Sequence, residues 1–257
     1  MIKKLIYLSL FINVVLLGLL IWSYTEKTYW FSYDQLNEAY DNQALDIIRA
    51  LGDEANCIDI GAHTGHFTRL FLKHCPKGQH FAIEPLPHLY EKLQDEFGNQ
   101  VSVFPQALSN ERGKTTFNYI VSNAGYSGIK HRATKNADEE VKEIEVDLEL
   151  LDNLIQPEQT IDFIKIDVEG AEFMVMQGAK RILEQYKPKI IFEFGYTSRD
   201  LYGAHPEEVY DFLDSLGYEL TLMEYHLRGA PAFTRTGFIE HFNQGYNWYF
   251  LAKAKRS

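Results

Sequence analysis

Between Cys57 and Thr68 the chain reads Cys-Ile-Asp-Ile-Gly-Ala-His-Thr-Gly-His-Phe-Thr, and no other stretch limits its possible folds so tightly. Four residues of buried-strand character, Asp59 among them, run into a turn bracketed by Gly61 and Gly65. Phe67, Leu70 and Phe71 then recur at helical spacing. Strand, glycine turn and helix in that order is how open α/β sheets bring a cofactor onto bare N–H groups at a helix N-terminus. A second short strand, Phe81–Ile83, runs into Glu84, 19 residues after Gly65. An acidic residue at that tip is placed to accept hydrogen bonds from the two hydroxyls of a ribose.

The spacing narrows the cofactor. A dinucleotide fingerprint needs its second glycine so that a pyrophosphate can approach the backbone. Here that position is His63, which would cramp a pyrophosphate and leave room for a nucleoside without phosphates. Asp-x-Gly-x-x-x-Gly resembles the first motif of class I methyltransferases, which use S-adenosylmethionine. The rival reading, an NAD-dependent sugar oxidoreductase, is disfavoured by His63.

The 257 residues, 46% hydrophobic, suffice for one large α/β domain or two small ones. A formal charge of −11 argues against nucleic acid, whose binding calls for a basic surface. The balance is more negative still once the N-terminal segment with Lys3, Lys4, Lys27 and Glu26 is set aside. Cys57 and Cys75 make no disulfide framework, and no Cys/His spacing points to a metal.

Leu5 to Trp22 is apolar apart from Ser9, Asn13 and Gly18, and follows Lys3 and Lys4. As a helix it would be about 27 Å long, close to the hydrocarbon thickness of a bilayer. No small-x-small cleavage site follows, so residues 1–23 are expected to be an uncleaved transmembrane anchor rather than a signal peptide. The lysines favour an N-terminus inside and the remainder outside. A cytosolic cofactor argues the other way and sets the expectation, a single-pass membrane protein with a cytosolic catalytic domain. Residues 24–55 form a juxtamembrane segment with Tyr24, Tyr29, Trp30 and Phe31, then a helix from a capping box at Ser32 to about Leu51.

Beyond the first two strands, Leu86 to Phe97 reads as a helix and Val101 to Pro105 as a third strand. Gln106, Ala107, Leu108 and Ser109 follow, where such a fold meets an adenine ring. Lys114–Val121 and Glu143–Asp147 read as an extra strand pair, enclosing a polar loop from Ser122 to Glu140 that is either mobile or substrate-gating. Asp162 to Glu172 reads Asp-Phe-Ile-Lys-Ile-Asp-Val-Glu-Gly-Ala-Glu. Asp167 and Glu169 sit at the carboxyl end of its strand, the edge where ligands bind in a parallel sheet. Gly170 opens a helix carrying Phe173, Met176, Ala179, Ile182 and Leu183 on one face. Pro188–Phe194 is the next strand, with Glu193 at the same edge. Pro206 opens another helix, Tyr218–Tyr225 and Asn247–Lys253 close the sheet, and the 21 residues from His226 to Tyr246 form a long loop and second candidate for substrate contact.

Asp59-Ile-Gly-Ala-x-x-Gly65, Glu84-Pro85, Ala107-Leu-Ser109, Ile164 to Glu172 and Ile190-Ile-Phe-Glu193 resemble the FkbM family of methyltransferases in order and spacing. The resemblance covers roughly residues 56–194, and Lys-Ile-Asp-Val-Glu-Gly is its most specific piece. It implies a class I, Rossmann-like, doubly wound sheet over residues 56–257, mostly parallel with an antiparallel last strand. It also implies S-adenosylmethionine as cofactor and O-methylation of a hydroxyl on a sugar, glycan or lipid-linked acceptor. Asp59, Gly61, Ala62 and Gly65 would contact the cofactor's amino-acid part, Glu84 its ribose, and Gln106 and Ala107 its adenine. Asp167 and Glu169 would lie where sulfonium and acceptor meet. Asp167 is the first candidate for the base, Glu169 the second, with His63 and Glu193 in reserve. The third possibility is a membrane-anchored scaffold or binding protein that keeps the fold without catalysis.

Overall fold

The computed structural model describes residues 33–131 and 139–255. The anchor expected over residues 1–23, the capping box at Ser32 and part of the loop between Ser122 and Glu140 lie outside them. Among the described residues no helix is long and apolar enough to cross a membrane. The chain divides into two compact units, residues 1–42 and 43–257. Of the first, the described part is the start of helix α1 (Tyr33–Arg49), which continues into the second. Everything below belongs to the second unit.

Its centre is a seven-stranded sheet. The strands are β1 (Cys57–Ile60), β2 (His80–Ile83), β3 (Val101–Phe104), β7 (Phe163–Ile166), β8 (Lys189–Glu193), β9 (Tyr218–Thr221) and β10 (Tyr249–Ala254). Their order across the sheet is β3-β2-β1-β7-β8-β10-β9. All the pairings from β3 to β8 are parallel, while β10 runs antiparallel to both β8 and β9. The mostly parallel sheet and antiparallel last strand are as the sequence implied. Parallel strands covered on both faces are near-continuous apolar runs, and β1 and β7 are buried at every position, with Asp59 and Lys165 as their charged exceptions.

Helices α2 (His66–His74) and α3 (Pro87–Phe97) connect the first three strands. Leu89, Leu93 and Phe97 are the buried face of α3, as their spacing required. A second, three-stranded sheet is built from β4 (Ala107–Leu108), β5 (Gly113–Ile120) and β6 (Val141–Glu149) in the order β4-β6-β5. The expected extra pair is thus β5 and β6, antiparallel, with β4 added alongside.

Three expectations need correction. The single helix read after Gly170 is two helices, α5 (Glu172–Gln177) and α6 (Lys180–Tyr186), broken at Gly178. A side chain at Gly178 would run into the Ser109 carbonyl, so the backbone crosses that strand end at a distance only glycine permits. The strand read over Tyr218–Tyr225 ends at Thr221, and a short helix α9 (Met223–Leu227) follows. The long loop His226–Tyr246 holds helix α10 (Arg235–Gln244). Thr234 caps it by accepting from the Gly237 N–H at 3.1 Å, and Phe238 and Phe242 bury its inner face. Those rings pack with Phe194 and Phe250, Phe194 to Phe242 being closest at 4.8 Å between centroids. The segment is thus anchored to the core through Phe238 and Phe242, while most of its other residues are exposed. Helices α4 (Leu151–Leu154), α7 (Tyr196–Tyr202) and α8 (Pro206–Ser215) are the remaining α-helices among the described residues.

Candidate active site

Register decides where the acidic residues fall. Ile60 pairs with Ile83 on one side and Ile166 on the other; Ile83 pairs with Phe104, and Ile166 with Phe192. The ends of five parallel strands therefore stand in one row, at the last residue of four of them and the last but one of β8. Gly61, Glu84, Pro105, Asp167 and Glu193 come next, along a single edge of the sheet. Tyr249 joins them from the antiparallel strand, because it pairs with Glu193. This is the carboxyl edge at which open α/β sheets bind their ligands.

The turn after β1 is tight, with Gly61 at φ +72°, His63 at +50° and Gly65 at +80°. Its N–H groups are not bare, as the sequence had implied. Gly61 and Ala62 both donate to the Ile83 carbonyl, His63 to Glu84 Oε2, and Gly65 to the Ala62 carbonyl. The glycines answer to packing as much as to any ligand. A Cβ at Gly61 would overlap the Asp167 carbonyl oxygen, and one at Gly65 would lie 2.6 Å from the Phe97 ring. Asp59 points inward: Oδ2 accepts from the Thr68 N–H at 3.0 Å and its hydroxyl at 2.7 Å. It thereby supplies the cap that Gly65, the residue before α2, has no side chain to provide. Oδ1 makes no hydrogen bond and lies 3.7 Å from Lys165 Nζ.

Glu84 is buried, with Oε2 accepting from His63 N–H at 2.8 Å and Oε1 from Leu86 N–H at 3.0 Å. A carboxylate has about four acceptor positions, so each oxygen keeps capacity for a hydroxyl. Burial pushes Glu84 up to about 7, against the two backbone donors that favour its charged form. Beyond β3, Gln106 Oε1 is buried and finds no hydrogen-bond partner among the described residues. Ala107, next to it, is buried on β4 with Leu86 and Leu89.

The catalytic candidates converge. Asp167, Glu169 and Glu193 each bring one carboxylate oxygen within 4.8 Å of the other two. Asp167 Oδ2 accepts from the Tyr249 hydroxyl at 2.6 Å and lies 3.6 Å from Lys165 Nζ. Burial would push Asp167 up, but Lys165, then the hydrogen bonds from Glu193 and Tyr249, bring it below the usual aspartate value. Burial and the neighbouring Asp167 and Glu169 push Glu193 well above the ordinary glutamate value, and a hydrogen bond links it to Asp167. The spacing of the three would admit a cation, but the Lys165 ammonium already places positive charge beside Asp167. His63 lies below its ordinary value, through burial first and then Lys165, and is a neutral imidazole at pH 7.

Three participants were missed by reasoning from sequence alone. Lys165 is nearly inaccessible, donates to the Gly61 carbonyl at 2.8 Å, and faces both Asp59 and Asp167. Burial opposes its charge, but Asp167, Asp59, Glu84 and Glu193 more than offset this and raise its pKa. Its signal was a charge inside an otherwise apolar strand. Tyr249 gave none, since an aromatic at a strand start reads as core. Glu172 is fully buried and turns its carboxylate back onto the Val168 and Gly170 N–H groups.

Residues 59–220 match the Methyltransferase FkbM domain. Among characterised proteins, the 2-O-methyltransferase NoeI of Sinorhizobium fredii is 29% identical over 162 residues, covering 56% of this chain and 64% of its own. Methyltransferase sdnD of Sordaria araneosa is 24% identical over 195 residues, 64% of this chain and 73% of that one. The AMB antimetabolite synthetase AmbE of Pseudomonas aeruginosa aligns with 88% of this chain at 23% identity, but over 12% of its own length. The chain thus spans less than two-thirds of AmbE and of NoeI. Among solved structures, the methyltransferase FkbM of Methylobacillus flagellatus KT superposes with a TM-score of 0.50 at 17% identity, over 78% of this chain and 44% of that chain. The domain match takes in more than half of the sequence, and the protein belongs to the FkbM family of methyltransferases.

Proposed function

We propose that the chain transfers the methyl group of S-adenosylmethionine to a hydroxyl of a sugar, glycan or lipid-linked acceptor. The observation that carries this reading is the row of strand tips, which sets the ribose-type carboxylate of Glu84 two strands from the Asp167, Glu169 and Glu193 cluster. The donor set suits the cofactor. Glu84 has acceptor capacity for a ribose diol, and the orphaned Gln106 Oε1 suits the amino group of an adenine. NoeI, by its name a 2-O-methyltransferase, supports oxygen as the methylated atom.

When bound, S-adenosylmethionine supplies a methyl group already made electrophilic by its sulfonium. The protein's share is to orient the acceptor hydroxyl and to take its proton. Asp167 takes the hydrogen bond of that hydroxyl. Its depressed pKa makes it a weak base, yet a weak base suffices. An oxygen gaining a methyl group becomes an oxonium, far more acidic than a carboxylic acid, so the proton moves late and downhill. Tyr249 and Lys165 hold the Asp167 carboxylate charged and aimed. Glu169, His63 and Glu193 line the same edge as alternative acceptors.

The test is calorimetric titration of the chain with S-adenosylmethionine and, separately, NAD. Binding of S-adenosylmethionine in the micromolar range is expected. Glu84→Ala should weaken it at least about tenfold, the loss of hydrogen bonds to a charged acceptor. Binding of NAD in its place would overturn the reading in favour of an oxidoreductase.

A further inference from the structure

We propose that Glu172, which touches neither cofactor nor acceptor, is a positioning residue that fixes the Asp167–Gly170 turn and with it the direction of the Asp167 and Glu169 carboxylates. The inference rests on the methyl-transfer reading for its kinetic consequence, and on geometry alone for the contact itself.

The turn is an unusual piece of backbone. Glu169 stands at φ +56° and Gly170 at φ +113°, conformations that L side chains rarely adopt. Nothing in the local sequence favours Glu169 there, so the surroundings must hold it. One carboxylate does so: Glu172 Oε1 accepts from the Val168 N–H at 3.1 Å and from the Gly170 N–H at 2.9 Å, on either side of Glu169. The other oxygen, Oε2, accepts from the Ser198 hydroxyl at 2.9 Å. Glu172 has no exposed surface, so water does not compete for these bonds.

Helix α7 completes the clamp from the opposite side. It carries Ser198, and one turn further on Tyr202, whose ring lies against Gly170; a Cβ at Gly170 would come within 2.7 Å of it. The turn is thus gripped between a buried carboxylate and an aromatic ring. Asp167 and Glu169 are the only two residues of the turn whose carboxylates join the acidic cluster. Loss of the grip lets the turn relax toward ordinary backbone angles and swings both side chains off the strand edge. A displacement of about 1 Å at such a site costs roughly a hundredfold in rate.

The experiment uses the full chain and three variants, Glu172→Gln, Glu172→Ala and Ser198→Ala. Amide hydrogen exchange at Val168 and Gly170 is read beside S-adenosylmethionine affinity and kcat on a methylated acceptor. Glu172→Gln keeps an oxygen for both N–H groups and an amide for Ser198. It should hold both amides protected and keep kcat within about fivefold of wild type. Glu172→Ala should expose both amides and lower kcat by roughly a hundredfold while S-adenosylmethionine affinity stays within about threefold. Should Glu172→Ala fail to fold, Ser198→Ala decides, with faster exchange at both amides and a kcat loss of roughly fivefold expected. Amides that remain protected in Glu172→Ala, or in Ser198→Ala where the former does not fold, overturn the inference. So does an unchanged kcat in the same variant. If wild type binds no S-adenosylmethionine the functional reading fails, while amide exchange still decides whether Glu172 holds the turn.

Discussion

Lys165 concentrates the electrostatics of the edge in one side chain. It is a fully buried ammonium at 3.7 Å from Asp59 and 3.6 Å from Asp167, with the Gly61 carbonyl as its hydrogen-bond acceptor. A buried pair of charges is weak evidence for stability, but removing one member leaves the other buried and uncompensated. Lys165→Met, close in volume and shape, should therefore cost about 3–5 kcal/mol in chemical unfolding at neutral pH. The sign with pH follows from the same groups. Without Lys165, Asp167 has a higher pKa in the folded state, and a raised carboxylate loses stability as pH rises. The gap to wild type should widen from pH 5 to pH 8; a gap that narrows would show that Lys165 does not hold the Asp167 charge. Lys165 was visible in the sequence as a charge in an apolar run, yet its role was not. Two of its partners, Asp59 and Gly61, lie more than a hundred residues earlier in the chain, and only strand register brings them near. Gly61 shows the converse. Its need for glycine was legible, but the reason assigned, close approach of a ligand, is one that the Asp167 backbone also supplies.

Among elements, what could be read was what local pattern determines. The strands of the parallel sheet and the helix Pro87–Phe97 follow from apolar period, glycine stops and proline starts. Helix α10 escaped because its signals point two ways. Gly229, Pro231, Gly237 and Gly245 punctuate the segment like a loop, and only the buried Phe238 and Phe242 mark a helical face. The tertiary packing of those rings with Phe194 and Phe250 outweighs the local preference. Such a helix depends on its cap. Thr234→Ala removes the acceptor for the Gly237 N–H and should lower stability by about 1 kcal/mol in thermal or denaturant unfolding. S-adenosylmethionine affinity should be unmoved, since no residue of α10 stands in the row of strand tips; a large loss of affinity would place the segment back among the ligand contacts. Glu169 and Gly170 were legible as a strand tip but not as a strained turn, because the residues that hold it, Glu172 and Ser198, do so through hydrogen bonds no periodicity encodes.

At the scale of the whole molecule, the buried acids of the edge make folding stability a function of pH. Burial raises Glu84 and Glu172 to about 7 each, and Glu193 well above the ordinary value. Relative to an unfolded glutamate near 4.5, such a group binds its proton more tightly in the folded chain. Its contribution is therefore fully present below about pH 4.5 and is lost as pH rises through 7. His63, His80 and His241, all lowered first by burial, act oppositely: they contribute above about 6.5 and lose that contribution as pH falls. The two sets overlap in the same window, so the raw pH profile of stability mixes them. A difference separates them. Glu172→Gln keeps every histidine and removes one titrating carboxyl. Wild type should gain on this variant as pH falls from 7.5 to 4.5, by up to about 3 kcal/mol at 1.36 kcal/mol per pKa unit, and the difference should level off above pH 7.5. Urea unfolding of both proteins at half-unit intervals reads it directly. A difference that stays constant across the window would mean that Glu172 is ionised throughout in the folded chain. The clamp on the Asp167–Gly170 turn would then be a charged one at every pH at which the enzyme works.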